Sequence, residues 1–164
     1  MPNIDQKSYT KSYFDGYSKW INTQKWSFFP TFTTAYPMSP KSARRLMDRT
    51  HLAYKNYAGQ CSLFWTTEPN ELRDGWHIHG LLLLPDSLMN KKGYLYKHHF
   101  NNLVDIYTKM AGSKLVTNNN GKLIYDKRHR IDLRKFDSRK NAGYYALKYI
   151  MKASKGEADY DLLL

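Results

Sequence analysis

The sequence predicts a single α+β domain with a central antiparallel β-sheet of about five strands flanked by helices. Three observations carry this expectation. Short runs of strand-favouring residues alternate with turn signals. Longer stretches between them repeat apolar residues at helical spacing. Two of the strand runs are adjacent and joined by a short polar loop, which makes them a hairpin and therefore antiparallel.

Ser27 to Tyr36 (SFFPTFTTAY) is rich in Phe and Thr and reads as a strand, despite Pro30 near its start. Ser39 followed by Pro40 has the form of a helix N-cap with proline at the first helical position, opening a helix to about Tyr57 that Gly59 would stop. Gln60 to Glu68 and Trp76 to Leu84 read as the strands of the hairpin, with Pro69, Asn70, Asp74 and Gly75 in its loop. Lys97 to Ala111 places Phe100, Leu103, Val104, Ile106, Tyr107 and Met110 at amphipathic helical spacing, and Gly112 closes it. Asn118 to Gly121 is a turn between two short strand candidates, Leu115-Val116 and Leu123 to Tyr125. Arg130 to Phe136 alternates again as a strand, and Asn141 to about Ala153 reads as a last helix. Glu157 to Leu164 reads as an edge, so residues 1–164 are expected to form a single domain that could belong to a longer protein.

Composition narrows the function. The 164 residues carry 26 Lys and Arg against 14 acids, a net charge of +12. A basic surface on a small domain points to a polyanion, and 15% aromatic residues offer faces on which unpaired bases stack. No segment has the length to span a bilayer, and Met1 to Lys25 lacks the apolar stretch of a secretion signal. The single cysteine, Cys61, excludes an internal disulfide, suits a reducing compartment and reads as a small buried strand residue. The expectation is a cytoplasmic protein that binds single-stranded nucleic acid and no membrane.

Trp76-His77-Ile78-His79-Gly80 is the most informative stretch. On a strand, side chains alternate with period two, so His77 and His79 share one face and Trp76, Ile78 and Gly80 turn away. Two imidazoles need a third ligand, and a carboxylate is the usual companion where a hard divalent ion keeps open positions for a phosphate. Glu68, at the end of the preceding strand, reaches that face if the two strands pair. Glu71 and Asp74 in the loop compete for the role, and Glu68 is preferred because an element end holds a ligand more rigidly than a loop tip. A half-buried histidine pair bonded to backbone would account for the pattern alone. His51, His98, His99 and His129 read as solvated surface residues.

A second constellation shifts the balance. Tyr145-Ala146-Leu147-Lys148-Tyr149-Ile150-Met151-Lys152 holds Tyr-X-X-Lys twice. At about 100° per residue, Tyr145, Lys148, Tyr149 and Lys152 share one helix face, opposite Leu147, Ile150 and Met151. A phenol of pKa about 10 becomes a nucleophile when lysines favour phenolate and a divalent ion activates a phosphate.

His-hydrophobic-His on a strand, followed by a helix with tandem Tyr-X-X-Lys, resembles the HUH endonuclease superfamily, in particular the two-tyrosine rolling-circle replication initiators of microvirus-like phages and plasmids. Phe28 to Thr34 is similar to that family's Thr-rich first motif, and Ile131 to Arg134 resembles the strand that often precedes its tyrosine helix. The resemblance spans about residues 28–152. It implies an HUH/RRM-like (ferredoxin-like) topology with the tyrosine helix across the site. It also implies cleavage of one DNA strand at a replication origin, leaving a 5′-phosphotyrosine and a free 3′-hydroxyl that primes synthesis.

In this reading His77, His79 and Glu68 hold Mn²⁺ or Mg²⁺, Tyr145 and Tyr149 are alternative nucleophiles, and Lys148 assists, with Lys152 the weaker candidate. The basic run carrying Arg128, Arg130, Arg134, Lys135, Arg139 and Lys140 tracks the DNA backbone. The implied partners are origin DNA, a helicase and a host polymerase, with the protein itself a monomer. A two-tyrosine transposase, a plasmid relaxase domain and a non-catalytic single-strand-binding module are the alternatives.

Overall fold

In the computed structural model the described residues are 15–16, 19–70, 74–125, 129–137, 139 and 159–164. The strands are β1 (Phe28–Thr33), β2 (Ser62–Pro69), β3 (Trp76–Leu83), β4 (Leu115–Thr117), β5 (Leu123–Tyr125), β6 (Arg130–Lys135) and β7 (Tyr160–Leu163). Residues 19–23 are helical, and the longer helices are α1 (Pro40–Ala58) and α2 (Lys97–Met110), with a 3-10 turn at Asp86–Leu88. Five strands form one antiparallel sheet in the order β6-β1-β3-β2-β7, while β4 and β5 pair separately as a hairpin. The succession β1-α1-β2-β3-α2-β6, with strand order β6-β1-β3-β2, is the ferredoxin-like arrangement expected from the sequence.

Each element starts and stops where its local chemistry dictates. Ser39 caps α1 in a reciprocal box: its hydroxyl accepts from the Ser42 backbone N–H, and the Ser42 hydroxyl accepts from the Ser39 N–H. Gly59, at φ 76°, ends the helix in the left-handed conformation that glycine adopts without a Cβ clash. Pro30 lies in β1, which is an interior strand, where a missing N–H is ordinarily costly. The β1–β3 ladder passes from Phe28↔Leu82 to Thr31↔His79 and leaves Phe29 and Pro30 out of register pairing. Opposite that gap stands Gly80, whose hypothetical Cβ would lie 3.2 Å from the Pro30 ring and 2.8 Å from the Phe64 carbonyl. Glycine therefore accommodates the proline one residue from the histidines.

Period-two alternation divides the sheet into two faces. Phe28, Phe32, Leu63, Trp65, Ile78 and Leu82 pack on one face against Leu46, Met47 and Tyr54 of α1 and Leu103 and Tyr107 of α2. Burying a side chain such as Ile78 or Leu82, both fully inaccessible, contributes about 2 kcal/mol each. The Tyr54 and Tyr107 hydroxyls donate to the carbonyls of Leu103 and Thr33, so neither buried phenol is left unpaired. On the other face a smaller cluster of Phe64 and Leu81 packs against Ile21 and Trp26, and it covers one end only. His77 and His79 occupy the opposite end of that face.

The last strand corrects the sequence expectation. Residues 160–163 form β7, an edge strand paired to β2 through Leu63↔Leu163 and Thr66↔Tyr160. Its anchor comes from α1: the Arg44 guanidinium donates to both Asp159 carboxylate oxygens, to Asp161 and to the Tyr160 carbonyl. Those carboxylates raise the Arg44 pKa beyond its ordinary value, although burial works against them. The helix expected at residues 141–153 lies outside the described residues. Among the described residues, no helix is long and apolar enough to cross a membrane.

Candidate metal centre

The hairpin brings the third ligand to the histidines by register alone. Glu68 pairs directly with His77 across β2 and β3, and Thr66 pairs with His79. Glu68, His77 and His79 therefore project from one face, and their reactive atoms converge. Glu68 Oε2 lies 3.2 Å from His77 Nε2 and 3.0 Å from His79 Nε2, and the two Nε2 atoms are 2.9 Å apart. Among the described residues this is the only group of three potential ligands close enough to share an ion. Asp74 is described and takes no part in it; Glu71 falls outside the described residues.

The chemistry of the donor set fits a divalent cation. Three ligands held at about 2.1 Å and at right angles around an ion stand about 3.0 Å apart, whereas tetrahedral ligands stand about 3.4 Å apart. The observed separations of 2.9 to 3.2 Å, which are hydrogen-bond distances, are also short enough for the three atoms to share one ion. Among the described residues two outer hydrogen bonds support the histidines. His77 Nδ1 is 2.8 Å from Asn70 Oδ1, and His79 Nδ1 is 3.2 Å from Thr31 Oγ1, on the neighbouring strand.

Burial favours the neutral form of His79. Desolvation lowers its pKa first, neighbouring His77 lowers it further, and Glu68 acts in the opposite direction. A neutral imidazole is the ligand form, so the pocket keeps His79 competent at neutral pH. Thr66 is buried beside it, and its hydroxyl has no hydrogen-bond partner among the described residues.

Beside the triad runs an open groove of about 670 Å³ along β1 and β6, lined among others by His79, Phe29, Thr31, Arg130 and Arg134. Its size falls within the usual range for ligand sites. Register explains its composition, since Thr31 faces Asp132, Phe29 faces Arg134 and Thr33 faces Arg130. The basic residues are not equivalent. Arg134 pairs with Asp132 at 2.8 Å and Arg139 with Asp137 at 3.0 Å. Lys135 turns toward the loop before α2, where it donates to the Lys92 carbonyl and sits over the Tyr94 ring. Arg128 and Lys140 lie outside the described residues, as do Tyr145, Lys148, Tyr149 and Lys152.

The remaining histidines depart in part from the surface role expected of them. His51 is buried, with Nε2 3.0 Å from the Cys61 carbonyl. His129 is also buried, and its Nδ1 accepts from the Ala35 N–H. His98 is exposed, and His99 Nδ1 is 2.6 Å from the Tyr57 hydroxyl. Isolated histidines carry no periodic signal, so their burial was not readable from spacing. Asn70 and Thr31 were likewise missed as partners of the triad; the hairpin loop and the Thr-rich strand were the available signals. No family model, curated protein or solved structure matches the chain.

Proposed function

We propose that the chain is a metal-dependent HUH-type endonuclease that nicks and rejoins single-stranded DNA at a replication origin. The observation that carries this reading is the convergence of Glu68 Oε2, His77 Nε2 and His79 Nε2 within 3.2 Å on the sheet face left open by α1 and α2. The groove beside it, with Arg130 and Arg134, suits a phosphate backbone next to the triad.

Connectivity adds support for the nucleophile. The chain leaves β6 at one edge of the sheet and enters β7 at the opposite edge, and Tyr145 and Tyr149 fall in the sequence between them. The proposed nucleophiles thus belong to the connection between the two edge strands.

Mn²⁺ or Mg²⁺ bound by His77, His79 and Glu68 would polarise the scissile phosphate and stabilise its developing charge. The phenolate oxygen of Tyr145 or Tyr149 attacks phosphorus, forming an O–P bond as the bond from phosphorus to the 3′ oxygen breaks. The 3′ oxygen leaves with a proton as a hydroxyl, and the 5′ end stays on the tyrosine as a phosphodiester. Lys148, with Lys152 as the weaker candidate, favours the phenolate or assists the leaving oxygen. The reverse attack by a 3′-hydroxyl rejoins ends without ATP, and a second tyrosine permits a second cleavage before the first end is released. A monomer acting in the cytoplasm with a helicase and a host polymerase completes the proposal.

A screen against a randomised single-stranded DNA library tests it. Mn²⁺-dependent nicking at one sequence, with a free 3′-hydroxyl, is the expected result. Tight binding with no cleavage under any divalent metal would instead leave a single-strand-binding module.

A further inference from the structure

We propose that Asn70 is the positioning residue of the triad, fixing the His77 imidazole so that Nε2 presents its lone pair to a divalent cation. This rests on the triad as a cation site and not on the reaction performed there. A neutral His77 ring can donate to only one of its two acceptor contacts, Asn70 Oδ1 at 2.8 Å from Nδ1 or Glu68 Oε2 at 3.2 Å from Nε2, and the shorter contact favours the hydrogen on Nδ1. Nε2 is then bare and faces Glu68 Oε2 and His79 Nε2. The partner of His79 differs in kind: the Thr31 hydroxyl, 3.2 Å from Nδ1, can donate or accept and dictates no tautomer. Of the two outer bonds, only the one from Asn70 selects the ligand form.

Asn70 is itself held firmly. Its backbone N–H donates to the Gly75 carbonyl at 2.9 Å, closing the β2–β3 loop. Gly75 has φ 93°, and a Cβ there would stand 2.7 Å from the Met38 nitrogen and 2.8 Å from Pro37 Cα. Gly75 is thus pressed against the segment before α1, and its carbonyl holds the Asn70 backbone. His77 needs such a hold. It lies near the start of β3 and its side chain is 21% exposed, whereas that of His79 is 13% exposed and lies beside the Phe29 ring.

The test compares the full chain with Asn70→Leu, which removes the acceptor at similar size, and Asn70→Asp, which keeps it. Mn²⁺ and Co²⁺ affinities are read by titration calorimetry, and the His77 tautomer by ¹⁵N chemical shifts without metal. The expected results are a wild-type ring protonated on Nδ1, a 10- to 100-fold loss of affinity in Asn70→Leu, and wild-type or tighter binding in Asn70→Asp. A wild-type ring protonated on Nε2 would overturn the proposal. So would equal losses in both variants, which would make Asn70 merely a loop-building residue, or wild-type affinity in both. DNA cleavage is not among the readouts, so a chain that binds Mn²⁺ in this way yet never nicks DNA overturns only the proposed activity.

Discussion

Glu68 and His77 face each other across β2 and β3, and the carboxylate oxygen that meets His77 Nε2 at 3.2 Å also meets His79 Nε2 at 3.0 Å. That single oxygen stands within hydrogen-bond distance of two imidazole nitrogens that are 2.9 Å apart, and the three atoms are close enough to share one metal ion.

Divalent metal should therefore stabilise the fold. At a free Mn²⁺ concentration of 100 times its dissociation constant, the expected gain is about 2.7 kcal/mol. Urea denaturation with Mn²⁺ and with EDTA reads it. His79→Ala should abolish the difference, and Glu68→Gln should reduce it.

Arg44 ties α1 to β7 through Asp159 and Asp161. Because its side chain is 41% exposed, solvent screens much of the attraction. Arg44→Ala should cost roughly 1 kcal/mol globally, but it leaves two carboxylates without their shared cation. The amides of Leu162 and Leu163 should exchange hydrogen faster than those of β3 in that variant. Arg44→Lys should restore little, since an ammonium lacks the fork that engages both residues.

Cys61 is buried, and desolvation pushes its thiol up to about 12, against the smaller opposing effect of Lys55. The native thiol should resist iodoacetamide at pH 8.5 and react fully in urea. The folded state keeps this proton while the unfolded chain releases it near pH 9. Stability present below that pH is therefore lost as pH rises toward 12. Cys61→Ala should flatten the decline by up to about 1.4 kcal/mol per pH unit, read from urea midpoints between pH 9 and 11.

Gly80→Ala should destabilise by about 1–3 kcal/mol, because its Cβ would meet the Phe64 carbonyl at 2.8 Å between two paired strands. Gly75→Ala adds backbone strain at φ 93° to a 2.7 Å clash with the Met38 nitrogen. It should weaken Mn²⁺ binding as well as stability, since its loop carries Asn70. Calorimetry on both variants separates the two effects.

The helices and inner strands were legible because their signals are local. Ser39-Pro40 and Gly59 bound α1 within a residue of expectation, and His77 and His79 share a face because alternation requires it. Glu68 followed once the hairpin was recognised, and the structure places it where that pairing demands. Strand β7 was missed because its pairing partner is β2, far back in the chain, and its anchor is Arg44; neither leaves a local pattern. The division of strands was hidden for the same reason: β4 and β5 read like members of the sheet, yet among the described residues they pair with each other and not with it. The burial of His51 and His129 depends on tertiary partners, a carbonyl ten residues away and the Ala35 amide.

The most direct test is a covalent-adduct assay. Incubation with the nicked single-stranded sequence and Mn²⁺ should yield a protein–DNA band on a denaturing gel, absent with EDTA and in His77→Ala, and mapping by peptide digestion to Tyr145 or Tyr149. An adduct that persists in the double Tyr145→Phe, Tyr149→Phe variant would contradict the nucleophile assignment, and cleavage unaffected by EDTA would contradict the role of the triad.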